Sequence, residues 1–286
     1  MTRPRRKQRF SRNSAGTSAV SGSQDFDFGT DKPFLRFSTM AGPLLVYAIW
    51  QGPEGAEEPV RVMEVDGAFQ SATYLADGRE YEPVFAYIRA YDCLFEARDE
   101  DGAPAPAANL CALGGGGYAW PKHVIATRPD SRLDVVELDP AVTAVAERYF
   151  FLDRLMAEFD TEETGRLGLV TDDALHYLET YAGAPYDAII NDLFSGKHPV
   201  ESLMTEEAAR LIRARLVPGG LYLTNVIGAL EGEDAAPLHR LAGTLGRAFV
   251  HVWVVPVGAW AEDDRDNNLL VASDKAWIIP GARELV

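Results

Sequence analysis

The alternation of apolar and polar positions divides the chain into two kinds of segment. Between Phe34 and Tyr74, four short runs read FLRFS, LLVYAIW, VRVMEVDG and FQSATYL, and Gly, Pro and Asp turn signals separate them. This pattern predicts a small antiparallel β domain. In the next segment, EPVFAYIRAYDCLFEA, apolar residues recur every three or four positions. That spacing predicts one helix over residues 82–97.

Strands and helices alternate beyond the linker RDEDGAPAPAA. The runs NLCAL, LDVVEL, LGLVT, YDAIIND and GLYLTNV predict strands, and residues 140–150, 173–180 and 205–216 have helical period. LVPGG, at 216–220, reads as a helix stop and turn. The last runs, AFVHVWVVPVG and NNLLVASD, predict an antiparallel hairpin at the sheet edge. The pattern indicates a Rossmann-like, doubly wound α/β sheet over residues 106–286, preceded by a β domain with a connecting helix over residues 25–105.

Composition narrows the classes of partner. The formal charge of −16 over 286 residues argues against a nucleic-acid partner for the folded body, because phosphate contacts need a basic face. The same charge suits a small cationic substrate, although acidic surfaces also serve solubility alone. No apolar run reaches the roughly 20 residues of a membrane-spanning helix. Two cysteines, and no metal-ligand spacing, predict neither a disulfide framework nor a metal site and favour the cytoplasm.

The first 24 residues carry six Arg or Lys and no acidic residue. A Ser, Gly and Ala-rich stretch follows within the same segment, and no hydrophobic run could form a signal-peptide core. We therefore expect residues 1–24 to be a disordered basic tail.

Four glycines follow the first strand of the alternating region. Gly114, Gly115, Gly116 and Gly117 lie between NLCAL and a helix predicted from Pro121. Glycine tolerates positive φ and has no side chain to block a ligand, so this turn is a candidate nucleoside-binding loop. A tight turn without a ligand would have the same composition.

Carboxylates follow the next three strands. Glu137 comes about 20 residues after the glycines, where such folds hold a ribose diol. Asp139 is a candidate N-cap for the following helix, and Asp173 is either an N-cap or an acceptor for an adenine amino group. Asp192 follows the fourth strand and would lie beside a sulfonium, unless it only bonds its own turn. This set suits S-adenosyl-methionine or a derivative better than a dinucleotide.

The order of these motifs resembles that of the spermidine synthase family of polyamine aminopropyltransferases, from about Phe34 to Ser273. That family has a DG-x-x-Q element in its N-terminal domain, then GGG, VE-x-D, GD and DSSDP-x-GP after successive strands. The chain has DGAFQ at 66–70, then GGGG, VELD, TDDA and NDLFSGKHPVESL. Ser195 stands where the family has its second loop aspartate, and the histidine of the family's Y-H-E element is absent near Tyr81.

The resemblance implies a role for each matched residue. Asp192 takes the place of the catalytic aspartate, Glu137 that of the ribose ligand and Asp173 that of the adenine-end acid. Gln70 and the glycines Gly114, Gly115 and Gly116 take the places of groups that position the nucleoside.

The implied activity is aminopropyl transfer from decarboxylated S-adenosyl-methionine to an amine, with no prosthetic group, in a homodimer or homotetramer. Two alternatives stay open. One is an S-adenosyl-methionine-dependent methyltransferase, and the other is a catalytically silent protein that binds a nucleoside.

Overall fold

The computed structural model describes residues 34–50, 58–195, 198–258 and 266–286. The predicted basic tail therefore lies outside the described residues. The described part contains two large sheets, one of four antiparallel strands and one of eight mostly parallel strands, and a small two-stranded ribbon. This arrangement confirms the predicted fold class.

The four strands of the N-terminal sheet pair in chain order, each antiparallel to the next. Each corresponds to one of the four predicted runs. They are β1 (Leu35–Thr39), β2 (Gly42–Ile49), β3 (Val60–Val65) and β4 (Ala68–Tyr74).

The predicted helix over residues 82–97 is wrong in one respect: it is two short helices. α1 spans Ala86–Ala90 and α2 spans Cys93–Glu96. The break falls at Tyr91 and Asp92, which both make tertiary contacts. Tyr91 is fully buried, and the Asp92 carboxylate accepts hydrogen bonds from another helix. These contacts override the local helical period.

The first strand of the large sheet in chain order, β5, lies at the centre of the sheet. Strand β5 is followed outward by β6 and β7, and the chain then returns to place β8 on the other side of β5. These four strands and β11 are parallel, while β13, β12 and β14 extend the edge antiparallel. The strands of this sheet are β5 (Asn109–Leu113), β6 (Arg132–Glu137), β7 (Leu167–Thr171), β8 (Tyr186–Asn191), β11 (Leu216–Gly228), β12 (His251–Pro256), β13 (Asp266–Ser273) and β14 (Arg283–Glu284).

Helices connect these strands and cover both faces of the sheet. The α-helices are α3 (Ala119–Thr127), α4 (Pro140–Tyr149), α5 (Leu152–Glu158), α6 (Thr161–Thr164), α7 (Ala174–Thr180), α8 (Glu206–Ala214) and α9 (Ala236–Leu245). Two 3₁₀ turns, Glu201–Met204 and Glu233–Ala235, and a two-strand ribbon of β9 (Phe194–Ser195) and β10 (His198–Pro199) complete the described elements. None of the described helices is long and apolar enough to cross a membrane.

The segment LVPGG differs from its predicted turn, because β11 already starts at Leu216. Leu216 pairs with Tyr186, and the register shifts before Leu221 pairs with Ala188. The Ser273 hydroxyl donates to the carbonyl oxygen of Gly220 at 2.9 Å. The Pro-Gly-Gly stretch is therefore a bulge within β11, a strand that lies between β8 and β13 in the sheet.

Hydrophobic cores lie on both faces of the large sheet. One core joins the N-terminal sheet, α1, α3, α4 and α5 to one face, and the other joins α7, α8 and α9 to the opposite face. The N-terminal sheet therefore packs beside the carboxyl ends of the parallel strands and shares their core. The domain boundary near residue 105 stays a prediction.

Candidate active site

A pocket opens where β5 and β8 end, at the point where the strand order reverses. Such a switch point is the usual ligand site of doubly wound sheets. The pocket is lined by both sheets, by α1 and α3, and by the turns after β5, β6 and β8. Of the predicted site residues, it contains Gln70, Gly114, Gly115, Gly116, Glu137 and Asp192.

The glycine run begins at a point where two strand ends touch. Gly114 has φ of +98°, and a Cβ on it would lie 2.9 Å from the backbone oxygen of Asp192. The Gly114 amide donates to the carbonyl of Val136, and the Asp192 amide donates to that of Leu113. Only glycine satisfies both the conformation and the close approach. The helix after the run starts at Ala119, two residues before the predicted start.

Glu137 binds the glycine turn through its carboxylate. Oε2 accepts from the amides of Gly115 at 2.9 Å and Gly116 at 3.2 Å, and Oε1 accepts from that of Asp139 at 3.0 Å. Each carboxylate oxygen has about two acceptor sites, so Oε1 retains capacity for a further donor. Glu137 therefore shapes the loop and keeps an acceptor directed to the pocket.

Asp139 is the N-cap of α4, as one of its predicted roles required. Its Oδ1 accepts from the amide of Ala141 at 2.9 Å. Its Oδ2 accepts from the amide of Met40 at 2.5 Å. Met40 lies in the turn between β1 and β2, so Asp139 ties the N-terminal sheet to the pocket edge.

Gln70 reaches the pocket because of a tight hairpin. Asp66 and Gly67 both have positive φ, 50° and 70°. An Asp-Gly pair with this geometry is the favoured two-residue connection of antiparallel strands. It turns β3 into β4, and Gln70 on β4 lines the pocket beside Ser71.

Asp192 is the carboxylate at the carboxyl end of β8. Its Oδ1 atom is buried and accepts no hydrogen bond from the described residues. Burial raises the pKa of Asp192 to about 6, against the lowering effect of Tyr91, Asn225 and Tyr87. An unpartnered buried acceptor costs stability in the free protein, which is typical of a group that serves a ligand.

Sequence reasoning missed these neighbours of Asp192. Tyr87 and Tyr91 lie on or directly after α1, and Asn225 lies on β11. The Tyr91 hydroxyl is itself buried without a hydrogen bond of normal geometry, and it faces the carboxylate. The two tyrosines lie about a hundred positions before Asp192 in the sequence and Asn225 lies on a later strand, so no local pattern signals these contacts.

Trp120 forms an aromatic wall of the pocket, and a hydrogen bond to a residue outside the pocket lining fixes its indole ring. Its indole Nε1 donates to Oδ1 of Asp92 at 3.0 Å. The other carboxylate oxygen, Oδ2, lies 2.8 Å from Nε2 of His123. The Trp120 ring packs edge-on to Tyr91, with ring centroids 6.0 Å apart. The aromatic wall therefore reaches the tyrosine beside Asp192.

Asp173 lies outside the pocket lining. Its Oδ1 accepts from the amides of Leu175 and His176, both at 3.0 Å, which makes it the N-cap of α7. The side chain is exposed. Its role toward an adenine stays a prediction.

Tyr81 and Ser195 mark the places where the sequence departs from the family motifs. The Tyr81 hydroxyl donates to Glu158 at 2.7 Å. The backbone of Ser195 lies in β9.

Several polyamine aminopropyltransferases are similar to this chain in sequence. A polyamine aminopropyltransferase of Vibrio vulnificus is 33% identical over 127 residues, which are 44% of this chain and 40% of that protein. One from Halorhodospira halophila is 31% identical over 181 residues, 63% of this chain and 61% of that protein. The chain thus spans about half the length of the curated relatives it matches. No family model matches the sequence.

Solved structures agree in fold. A probable spermidine synthase of Corynebacterium glutamicum superposes with a TM-score of 0.63 at 22% identity, covering 84% of this chain and 80% of that one. In sequence and in fold, the chain is similar to the spermidine synthases. A spermidine synthase in complex with the transition state analogue AdoDATO has a TM-score of 0.59 at 17% identity, covering 81% of this chain and 70% of that one. These likenesses show the fold alone.

A methyltransferase also matches part of the sequence. The eEF1A lysine and N-terminal methyltransferase homolog of Drosophila melanogaster is 29% identical over 143 residues, 46% of this chain and 20% of that protein.

Proposed function

We propose that this chain moves an aminopropyl group from decarboxylated S-adenosyl-methionine to an amine, as a step of polyamine biosynthesis. One observation carries the proposal. The buried Oδ1 of Asp192 has no hydrogen-bond partner among the described residues and lies in the same pocket as the glycine turn and Glu137. A nucleoside held by the turn would present its sulfonium to this carboxylate.

The donor is held by backbone and carboxylate groups. Gly114, Gly115 and Gly116 let the nucleoside approach the main chain, and Oε1 of Glu137 accepts from a ribose hydroxyl. Gln70 contacts the nucleoside from the N-terminal sheet, and Asp173 serves the adenine end. These assignments are proposals that rest on the family motif and on the pocket lining.

Asp192 acts on the incoming amine. The neutral amine attacks the propyl carbon next to sulfur, the new C–N bond forms, and the C–S electron pair leaves with sulfur as methylthioadenosine. Positive charge moves from sulfur to nitrogen, and the nitrogen then releases its proton through Asp192 to solvent. With a pKa of about 6, Asp192 is ionised at neutral pH and stabilises the charge that develops on nitrogen. Alignment of amine and sulfonium in one pocket supplies the remaining acceleration.

The pocket favours the decarboxylated donor over S-adenosyl-methionine. Among the described residues that line it, no side chain is Lys, Arg or His. The methionine carboxylate of the intact donor would therefore meet no cationic side chain there and would lie near Asp192, which repels it. Partial identity to a methyltransferase supports methyl transfer as the alternative.

Calorimetric titration separates these activities. The protein is titrated with decarboxylated S-adenosyl-methionine, S-adenosyl-methionine and methylthioadenosine under the same conditions. Preference for the decarboxylated donor is expected. Preference for the intact donor would establish the methyltransferase alternative, and no binding of any of the three would refute a nucleoside site.

We also propose that the protein is a cytoplasmic homodimer or homotetramer, since the family resemblance implies this assembly. Light scattering after size exclusion measures the oligomeric state, and a monomeric mass would contradict the proposal.

A catalytically silent protein would bind methylthioadenosine and form no product with any amine.

A further inference from the structure

The turn between β1 and β2 reaches the edge of the pocket. Thr39 and Gly42 pair at the strand ends, so Met40 and Ala41 form the turn between them. The Thr39 hydroxyl donates to the carbonyl oxygen of Gly42 at 2.6 Å, and Gly42 has φ of +106°. Thr39, Met40 and Ala41 all line the pocket. The N-terminal sheet therefore supplies part of the pocket wall through this turn.

The turn has little buried surface to hold it in place. Met40 is 70% exposed, Ala41 is exposed, and the nearest buried side chains are Phe37 and Leu44 on the two strands. A segment with so few buried contacts opens easily unless hydrogen bonds hold it. The Met40 amide donates to Oδ2 of Asp139 at 2.5 Å, and this bond ties the turn to the pocket edge.

Asp139 connects the turn to the groups that bind the nucleoside in the proposed function. Its carboxylate accepts from the Met40 amide, and its own amide donates to Oε1 of Glu137 at 3.0 Å. Oε2 of Glu137 accepts from the amides of Gly115 and Gly116. All of these residues line the pocket. Hydrogen bonds therefore join the turn and the glycine loop along one side of the pocket.

Asp139 is suited to hold the turn because it is fixed itself. It is 8% exposed, and its Oδ1 caps α4 by accepting from the Ala141 amide. At the other end of α4, the Arg61 guanidinium on β3 donates to the carbonyl oxygen of Tyr149 at 2.5 Å. Hydrogen bonds to charged groups are stronger than those between neutral groups. The N-terminal sheet is thus bonded to both ends of α4, and Asp139 makes the bond that lies at the pocket.

We propose that Asp139 is a positioning residue for the nucleoside and that Met40 contacts the nucleoside. This inference rests on the proposed function, because it concerns the nucleoside half of the same pocket. Met40 and Leu138, which is 45% exposed, both line the pocket, and a bound nucleoside removes their apolar surface from water. Without the Asp139 bond, the turn moves away and this contact is lost, while Asp192 keeps its place.

The variant Asp139→Asn tests the bond with little change of shape. Asn is a good N-cap, so its oxygen still caps α4, and its NH₂ group then faces the Met40 amide as a second donor. Calorimetry should show methylthioadenosine binding that is about three- to tenfold weaker. In the transfer assay, KM for the decarboxylated donor should rise by a similar factor, and kcat should change by less than about twofold. Parent-like methylthioadenosine affinity would overturn the inference.

The variants Met40→Ala and Met40→Pro separate the side chain from the amide. Alanine keeps the N–H donor, whereas proline removes it and fits the position, since Met40 has no positive φ and Thr39 before it is in β1. Met40→Ala should weaken methylthioadenosine binding about twofold or more. Met40→Pro should weaken it by a further factor of about three or more. Parent-like affinity of Met40→Ala would remove the side-chain contact, and equal affinities of the two variants would overturn the role of the bond.

The double variant Met40→Pro/Asp139→Asn shows whether Asp139 acts through the turn. With the amide donor already absent, Asp139→Asn should weaken binding further by less than about twofold. The full effect of Asp139→Asn in both backgrounds would show a role in α4 alone and overturn the inference. Thr205→Ala is the control for the loss of an N-cap, because Thr205 caps α8 outside the pocket lining. It should lower the free energy of unfolding and leave methylthioadenosine affinity unchanged.

Binding and turnover keep this inference separable from the proposed function, because calorimetry with methylthioadenosine needs no turnover. If the parent binds methylthioadenosine and forms no product, the proposed transfer fails, and weaker binding in Asp139→Asn still supports the inference. If the parent forms product and Asp139→Asn binds methylthioadenosine as the parent does, the inference alone fails. No methylthioadenosine binding by the parent would refute both.

Discussion

The backbone oxygen of Asp192 lies directly against Gly114. A Cβ on residue 114 would come within 2.9 Å of this oxygen and 3.2 Å of the Leu193 side chain. The turn that receives the nucleoside and the strand end that carries the proposed catalytic carboxylate are therefore packed as one unit. Any residue larger than glycine would push them apart.

Gly114→Ala should destabilise the protein and lower transfer activity. Its control is Gly102→Ala, because Gly102 also has positive φ, +81°, and has nothing within 4 Å of a built Cβ. The control should lower the free energy of unfolding by about 1–2 kcal/mol through backbone strain alone. Gly114→Ala should lose at least about 1 kcal/mol more through steric overlap. Equal losses in denaturant unfolding would contradict the close approach.

Asp192→Asn should abolish transfer and leave methylthioadenosine affinity within about threefold of the parent, since the nucleoside is held by other groups. Product formation and calorimetry measure the two properties. The control Asp130→Asn, at an exposed residue outside the pocket lining, should change neither product formation nor methylthioadenosine affinity. Retained turnover in Asp192→Asn would remove the residue from the mechanism.

The pKa of Asp192 also predicts a pH dependence of stability. Its folded value of about 6 lies above the ordinary value of 3.8, so the folded state holds a proton that the unfolded state has lost. This contribution to stability is present at low pH and is lost as pH rises from about 4 to about 6. At neutral pH, Asp192→Asn should therefore unfold with a free energy higher than that of the parent by on the order of 1–2 kcal/mol. A lower free energy in the variant at neutral pH would contradict the buried, unpartnered carboxylate.

Glu137→Gln should weaken methylthioadenosine binding about tenfold or more. The substitution replaces one acceptor oxygen by an NH₂ group, which would face an amide donor of Gly115, Gly116 or Asp139. The loop then loses a hydrogen bond and the ribose loses its acceptor. Calorimetry gives the affinity, with Glu162→Gln in exposed α6 as the control. Parent-like affinity would show that Glu137 does not bind the nucleoside.

Asp92→Ala should raise the KM for the amine more than it lowers kcat, because Trp120 loses the acceptor that fixes its ring. The expected change in KM is about three- to tenfold. His123→Gln is the matched control, since it removes a different partner of Asp92 and leaves the indole hydrogen bond in place. Equal effects of the two variants would show that Asp92 serves the outer surface and not the pocket wall.

Lys122 should contribute a rise of stability with pH. The residue is 1% exposed, and its ammonium donates to the carbonyl oxygens of Phe150 and Glu80. Burial, and to a lesser extent the charge of Arg61, lower its pKa to about 7 against the opposing effect of Glu80. The unfolded chain binds the extra proton above pH 7, so the free energy of unfolding should increase from about pH 7 to about pH 9.

Lys122→Met should reduce that increase, and Lys275→Met at a half-exposed surface lysine should not. Chemical denaturation at the two pH values measures the difference. The same increase in Lys122→Met as in the parent would show that Lys122 does not titrate in this range.

The local pattern of apolar and polar residues was sufficient to predict the strands that carry the site residues. The predicted strand NLCAL coincides with β5, Asn109–Leu113, and LGLVT coincides with β7, Leu167–Thr171. The strand ends that carry Gly114, Glu137 and Asp192 followed from these runs, because parallel strands expose their carboxyl ends on one edge. Helix α9 was missed, although Leu238, Leu241, Ala242 and Leu245 have the spacing of a buried helical face.

Long-range contacts decided what the sequence left open. Tyr91 interrupts the predicted helix because it packs toward Asp192, and Asp92 does so because it accepts from Trp120. The N-cap role of Asp173 was recognised as one of two alternatives, and only the position of its side chain distinguishes the cap from a pocket residue. The contacts of Tyr91 and Asp92 leave no periodic or compositional signal in the segment that contains these residues.

The most direct test of the central claim is the mass of the product formed from decarboxylated S-adenosyl-methionine and an amine. Protein and donor are incubated with n-butylamine, putrescine and phenethylamine, and the amines and nucleosides are then identified by mass spectrometry. We predict an amine that has gained one aminopropyl group, an equal amount of methylthioadenosine, and neither product with Asp192→Asn. A methylated amine from intact donor, or no modified amine from either donor, would contradict the account.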